Sequence, residues 1–236
     1  MPAVPGGRPA RSAGRHPGRL PPPPATVRAR TRSPPGTTPR PPLPAFPSGR
    51  AGQVARRSAA QLADGAFPLF PDLQEVVLCG HSYGGAVVTR VADEIPDRLG
   101  AIVYLDAFRP ADGETIVELA GWDVPVEETM APPPAAVLGL EGENAAFVER
   151  KMMPHPSRAL TARMRGRKPL ATHIAPTYVL ATGWHGVPHF TAVYEEARTD
   201  SRWTSMLVDS SHDPMIDRPQ VVVDALMTAA GRRSAL

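Results

Sequence analysis

The sequence predicts an α/β fold in which a mostly parallel sheet carries helices on both faces and a helical cap. Three observations predict it. An apolar run, 76–79, leads into Gly80-His81-Ser82-Tyr83-Gly84 and then into a helical pattern, which is the strand–turn–helix order of a sharp elbow. Further apolar runs alternate with helical patterns, and this alternation favours parallel pairing. A stretch of about 60 residues, 111–170, interrupts the alternation.

The predicted elements follow one another from about residue 72. The first strand, 75–79, is followed by a helix from Gly84 to about Glu94, and the second strand is the apolar run 101–105. The interruption contains two short helical patterns and little that resembles a central strand, so it predicts a cap over a site. The helical patterns of the cap are 144–152 and 157–164. The core resumes with a strand at 176–182, a helix at 187–198, a strand at 204–208 and a C-terminal helix at 220–230.

Residues 1–65 differ in composition from the predicted domain, 66–236. Residues 1–63 contain no Asp, Glu or Lys but hold 11 of the 24 Arg, and 15 of the 30 Pro lie in the first 47 residues. Proline runs such as 21–24 exclude helix and central strand. Three interpretations stay open: a disordered Pro/Arg-rich tail, an organelle transit peptide, and a segment translated out of frame.

The charge balance separates the tail from the rest of the chain. Residues 64–236 hold 15 basic and all 23 acidic residues, a formal charge of −8, so the domain is not predicted to bind nucleic acid. No stretch approaches the ~20 apolar residues of a membrane span. Cys79 is the only cysteine, which excludes an intramolecular disulfide and a cysteine-based metal site, and it is expected to be buried. These features predict a cytoplasmic protein without a membrane partner, and they leave its oligomeric state open.

Ser82 lies at the tip of the predicted elbow. Gly80 and Gly84 are expected to remove Cβ atoms that would collide where strand and helix close up. The turn holds the Ser82 hydroxyl at the N-terminus of the next helix, where the helix dipole and main-chain N–H groups favour negative charge. Ser82 is therefore the predicted nucleophile, and the N–H of Tyr83 is the predicted oxyanion-hole donor.

A serine hydroxyl needs a base, and the base needs an orienting acid. Of the seven histidines, His212 comes just after a strand, where the sites of open α/β sheets lie. The alternative is a loop histidine bonded to Asp209 or Asp213. No carboxylate occurs in 171–194, whereas Asp106 follows the strand before the cap and is the predicted acid. Alternatively, the Asp106 side chain binds the free main-chain N–H groups of the first helical turn in the cap segment.

Three sequence blocks resemble a known family. Leu78 to Gly85, Val103 to Glu114 and Ser211 to Pro219 are, in this order, similar to the small α/β-hydrolase esterases. These include salicylate-esterase-like and methylesterase or hydroxynitrile-lyase-like enzymes. The resemblance covers about 72–236. It implies the α/β-hydrolase fold and hydrolysis of a small-molecule carboxylic ester through an acyl-enzyme, with no metal and no cofactor.

The chain departs from this family ahead of the elbow. Family members place further strands and a His-Gly loop there, and that loop gives the second oxyanion N–H. In this chain a Pro-rich sequence occupies that region, and Pro5-Gly6-Gly7 is the only faint counterpart of the His-Gly loop. The N-terminal strands are therefore expected to be missing or replaced. The alternatives are a catalytically impaired fragment, a hydroxynitrile-lyase-like or acyltransferase activity, and a nucleic-acid binder acting through the tail.

The cap is expected to contribute an apolar substrate pocket beside His81 of the elbow. For each candidate, packing within the core is the alternative role. The apolar candidates are Trp122, Val126, Met130, Val137, Leu138, Phe147, Met152 and Met153.

Overall fold

The structure is a computed structural model, and it describes residues 73–123 and 129–232. The tail, 1–65, its Pro5-Gly6-Gly7 segment and Val126 lie outside the described residues. Within the described ranges the α-helices and strands are, in chain order, β1 (Val76–Ser82), α1 (Gly84–Glu94), β2 (Leu99–Ala107), α2 (Ile116–Ala120), β3 (Thr129–Met130), α3 (Gly142–Lys151), β4 (His155–Pro156), α4 (Ser157–Thr161), β5 (Ala175–Ala181), α5 (Pro188–Thr199), β6 (Thr204–Val208), α6 (Pro214–Asp217) and α7 (Pro219–Arg232).

The main sheet has four parallel strands in the order β1-β2-β5-β6, with helices on both faces. All of β2 is buried, so its alternating side chains meet a helix layer on each side. Ile102 and Tyr104 pack with α1 and α5, while Val103 and Leu105 pack with α7. The predicted parallel sheet with helices on both faces is therefore confirmed.

The strand β1 is only half-buried, in contrast to β2. In the described part of the chain β1 pairs with β2 alone, so no described strand covers its other edge. Cys79 of β1 is exposed. The expectation that Cys79 is buried is wrong, because an apolar run shows that a strand forms but not which neighbours cover it.

The insertion between β2 and β5 contains α2, α3, α4 and the antiparallel pair β3–β4. The predicted helix at 144–152 corresponds to α3, whereas the one at 157–164 is shorter, since α4 ends at Thr161. The short α2 does not show in the apolar periodicity. Instead a capping box begins it, in which Thr115 and Glu118 each bind the other's main-chain N–H. In the described ranges, none of the helices has the length and apolar character needed to cross a membrane.

The contact between β1, α1 and β2 depends on two glycines. A Cβ on Gly80 would lie 2.5 Å from the Gly84 carbonyl oxygen and 2.7 Å from Val88 Cγ2. A Cβ on Gly85 would lie 2.3 Å from the carbonyl oxygen of Phe108. A Cβ on Gly84 would meet no atom within 4 Å. The prediction for Gly80 is confirmed and that for Gly84 is wrong, because Gly85, one residue later, faces the end of β2.

We expect Gly80→Ala to lower the free energy of unfolding by about 1–3 kcal/mol, because the added methyl group overpacks a main-chain contact. Gly84→Ala is the matched control, and it should be neutral or slightly stabilising because alanine favours the helix. Urea unfolding followed by circular dichroism measures both. Equal unfolding midpoints for the two variants would contradict the close packing at Gly80.

Candidate active site

Ser82 stands at the end of β1, immediately before α1 begins. Its φ angle is 51°, in the left-handed region that costs a non-glycine residue about 1–3 kcal/mol. The main-chain carbonyl of Ser82 accepts a 3.1 Å hydrogen bond from the N–H of Phe108, just after β2. Tyr83 is the N-cap of α1, which places its N–H next to the serine. The elbow is thus a strained turn tied to the neighbouring strand.

Asp106 lies at a second strained position, near the end of β2, with a φ angle of 42°. The β1–β2 pairing passes from Leu105 to Ala107 and skips Asp106, so the strand bulges there. The Tyr178 hydroxyl accepts the Ala107 N–H at 3.3 Å and donates to the Ala107 carbonyl at 2.8 Å. Burial, with the nearby charge of Asp106, holds the pKa of Tyr178 well above its usual value. A neutral tyrosine therefore supports the main chain beside the bulge.

His212 and Asp106 form a buried hydrogen-bonded pair, with 2.7 Å between His212 Nδ1 and Asp106 Oδ2. An ionised carboxylate only accepts hydrogen bonds, so Nδ1 carries the proton and Nε2 is left as an acceptor. Asp106 also accepts from the Ala181 N–H at 3.0 Å and from Trp184 Nε1 at 2.9 Å. Its polar contacts are to the end of β5 and to the base rather than to the first turn of the cap. His212 pairs with Asp106 and not with Asp209 or Asp213.

The main chain of His212 is held from two sides. Its N–H donates to the carbonyl of Leu138, in the cap, at 2.8 Å. Its carbonyl accepts from His81 Nε2, in the elbow, at 2.8 Å. The loop that carries the base is therefore attached both to the cap and to the elbow.

His81 stays neutral over the ordinary pH range. Burial, reinforced by the nearby His212, lowers its pKa to about 3, so Nε2 donates from an uncharged ring. The nearest carboxylate oxygen, Oδ1 of Asp213, is 3.8 Å away. Burial raises the pKa of Asp213.

Ser82 and His212 both line one cavity of about 690 Å³. Its wall is mostly apolar or aromatic, and the described lining residues include no Lys or Arg. The remaining described residues of the wall are His81, Tyr83, Phe108, Gly121, Trp122, Asp123, Met130, Ala131, Pro132, Pro133, Val137, Leu138, Val148, Met152, Met153, His155, Leu160, Trp184, His185, Gly186, Val187, Phe190 and Asp213.

Most of the pocket candidates from the sequence line this cavity, namely His81, Trp122, Met130, Val137, Leu138, Met152 and Met153. Phe147 is not among the described lining residues and is 43% exposed, because α3 turns Val148 inward instead. Trp184 also belongs to the site, although no sequence motif predicts it. Its position just after β5, on a segment without carboxylates, was the only available signal.

The described ranges contain no cluster of side chains suited to binding a metal ion. Across 73–123 and 129–232, no three His, Cys, Asp or Glu side chains lie close enough to hold a metal ion. That the site uses neither metal nor cofactor stays a prediction.

The chain is similar in sequence to a hydrolase family and to individual hydrolases. A model described as the alpha/beta hydrolase family matches residues 8–225. A carbendazim hydrolyzing esterase of Nocardioides sp. is 28% identical over 188 residues, which cover 66% of this chain and 71% of that protein. A probable hydrolase of Phoma sp. is 40% identical over 84 residues, or 34% of this chain and 31% of that one.

Solved structures share the fold, and two of them serve as examples. A methylesterase of Arabidopsis aligns with a TM-score of 0.58 and 21% identity over 74% of this chain and 78% of its own. An extracellular alpha/beta-hydrolase of a Paenibacillus species aligns with a TM-score of 0.57 and 19% identity over 74% of this chain and 81% of its own. At these identities the likeness is one of fold.

The low pKa of His81 predicts a pH dependence of stability. Between the unfolded pKa of 6.5 and the folded pKa of about 3, the His81 ring is protonated in the unfolded chain and neutral in the folded one. Stability is therefore lost as the pH falls through this range. The free energy of unfolding should change by less than about 1.4 kcal/mol per pH unit, since a quarter of the His81 side chain is exposed.

His81→Gln is the comparison variant, because an amide keeps a donor but does not titrate. Between pH 7 and pH 4, the free energy of unfolding should fall faster with decreasing pH in the wild type than in His81→Gln. Parallel curves would contradict the low pKa.

Proposed function

Since the chain belongs to the alpha/beta hydrolase family, we propose that it hydrolyses small carboxylic esters with Ser82 as nucleophile, His212 as base and Asp106 as orienting acid. One observation carries this proposal: the buried 2.7 Å contact between His212 and Asp106, beside the cavity that Ser82 also lines. Similar proteins named as an esterase and a methylesterase support the ester class.

In the first half of the reaction, Ser82 Oγ attacks the ester carbonyl carbon. Nε2 of His212 takes the hydroxyl proton, and the carboxylate of Asp106 stabilises the resulting imidazolium. The main-chain N–H of Tyr83 donates to the oxyanion. The C–O bond to the alcohol then breaks, and Nε2 returns its proton to the leaving oxygen. The product of this half is the acyl ester of Ser82.

In the second half, a water molecule attacks the acyl carbonyl while Nε2 of His212 takes one of its protons. The tetrahedral intermediate collapses, the carboxylic acid leaves, and Ser82 regains its proton. By resemblance, a second oxyanion donor belongs to a segment ahead of the elbow, outside the described residues. A missing donor costs about 10²–10³ in rate, so this segment should set how fast the enzyme works.

The cavity defines the substrate more by shape and polarity than by charge. Its volume of about 690 Å³ suits a small molecule, and its apolar wall suits an apolar acyl or alcohol group. Asp123 and Asp213 contribute acidic groups to the wall, which disfavours anionic esters. A cytoplasmic location and the absence of nucleic-acid, membrane and cofactor partners remain predictions.

We expect wild type to be labelled covalently by a fluorophosphonate and to release p-nitrophenol from p-nitrophenyl acetate with an initial burst. Ser82→Ala should lose both the label and the burst, because it lacks the attacking oxygen. Intact-mass spectrometry and absorbance measure the two signals.

Ser157→Ala is the matched control. Ser157 is buried, and its hydroxyl has no hydrogen-bond partner among the described residues, so both signals should persist. Labelling of Ser82→Ala would contradict the proposed nucleophile. Labelling of wild type without ester turnover would contradict the esterase and favour a lyase or an acyltransferase.

Asp106→Asn should lower kcat by about 10⁴-fold, because an amide cannot accept from His212 with the same charge and favours the wrong tautomer. Asp213→Asn changes a neighbouring acidic residue of the same cavity and should lower kcat far less. Steady-state kinetics on one p-nitrophenyl ester compares them. If Asp213→Asn caused the larger loss, the orienting role would belong to Asp213.

A further inference from the structure

We propose that Trp184 is a positioning residue of this site, which uses its indole N–H to fix the carboxylate of Asp106 for His212. The inference rests on the proposed function and adds a residue to it. It is carried by one juxtaposition: a single carboxylate oxygen, Asp106 Oδ2, accepts both from Trp184 Nε1 at 2.9 Å and from His212 Nδ1 at 2.7 Å.

The position of Trp184 is fixed by close main-chain packing. The preceding residue, Gly183, donates its N–H to the Ser210 carbonyl at 2.8 Å, and a Cβ on Gly183 would lie 2.6 Å from that oxygen. On the other side, a Cβ on Gly139 of the cap would lie 2.9 Å from Trp184 Cβ. The indole is therefore held between the cap and the loop that leads to His212, with little freedom to move.

Asp106 requires such donors because it is fully buried. A buried carboxylate without hydrogen bonds is strongly unfavourable, and water does not reach this one. The two carboxylate oxygens turn together about the Cβ–Cγ bond, and the Ala181 N–H on Oδ1 fixes the group at one point, so the donor on Oδ2 supplies the second. Trp184 holds Oδ2 at the place where His212 Nδ1 binds it, so the pair needs no reorientation when the ring of the base becomes charged.

The indole N–H also weakens the shared oxygen as a hydrogen-bond acceptor. A hydrogen bond from Trp184 withdraws charge from Oδ2 and makes it a weaker acceptor for the imidazolium. Removing the indole N–H should therefore strengthen the pairing of Oδ2 with the imidazolium, which moves the acidic limb of the pH–rate profile upward. Among the described residues, the other titratable groups near His212 are Asp213 and His81, and His81 stays neutral above about pH 3.

The ring of Trp184 has a second contact with the site. Its centroid lies 4.4 Å from that of His212, and the side chain lines the cavity. The same residue thus touches the substrate space and the acid that orients the base. Trp122 lines the cavity as well, but its ring meets Phe108 edge-to-face, and the contacts found among the described residues include none between Trp122 and Asp106.

Trp184→Phe tests the inference, because it keeps an aromatic ring and removes the donor. We expect kcat to fall by about 10- to 100-fold, as a misplaced catalytic pair does. The acidic limb of the pH profile of kcat/KM should move up by about half a pH unit. The matched control, Trp122→Phe, should change mainly KM and leave the limb in place. An unmoved limb in Trp184→Phe would overturn the proposal.

A second variant tests the same inference in case Trp184→Phe folds poorly. The chain has three tryptophans, so in a Trp122→Phe, Trp203→Phe background Trp184 alone takes up 3-benzothienylalanine, which replaces the indole N–H by sulfur at nearly constant shape. The same fall in kcat and the same shift of the limb are expected relative to that background. Equal pH profiles with and without the replacement would overturn the proposal.

A double-substitution cycle separates positioning from packing. If Trp184 acts through Asp106, then Trp184→Phe should cause less than a twofold further loss of kcat in the Asp106→Asn background. Additive losses would overturn the inference. Fluorophosphonate labelling of the wild type tests the proposed function alone. Absence of the label would reject that function. Labelling together with an unmoved acidic limb in Trp184→Phe would reject only the role of Trp184.

Discussion

The structure around the site depends on one constraint, the burial of the Asp106 carboxylate. A buried charge of this kind is stable only where donors surround it, and its donors come from places far apart in sequence. They are the main chain at the end of β5, the indole of Trp184 and the ring of His212. The hydrogen bonds of this one side chain therefore fix where the strand end, the following loop and the base lie relative to one another.

Two of the three non-glycine residues with positive φ in the described ranges lie at neighbouring strand ends. Ser82 and Asp106 both adopt positive φ angles, each costing about 1–3 kcal/mol, and strain of this kind persists only when the surroundings determine it. The Phe108 N–H on the Ser82 carbonyl and the Tyr178 hydroxyl on the main chain of Ala107 supply that support. The two turns hold the candidate nucleophile and the candidate acid at adjacent ends of the sheet.

The cap contributes to the site by more than covering it. Its Leu138 carbonyl binds the main chain of His212, and its Gly139 packs against Trp184. A small apolar cluster within the cap, which includes Leu138 and Val148, rests on the same tryptophan. A change that loosens this cluster should therefore disturb the base as well as the wall of the cavity.

The sequence by itself determined the parallel core, the elbow at Ser82 and the cap, because strand and helix periodicity and the Gly-x-Ser-x-Gly turn are local properties of the chain. It also identified His212 and Asp106 as partners, since side chains that follow parallel strands meet at one edge of the sheet. Only the tertiary structure decided that Gly85 is needed rather than Gly84, that Phe147 faces away from the cavity, and that Trp184 binds Asp106. These depend on which distant segments come into contact, and no local pattern of residues records that.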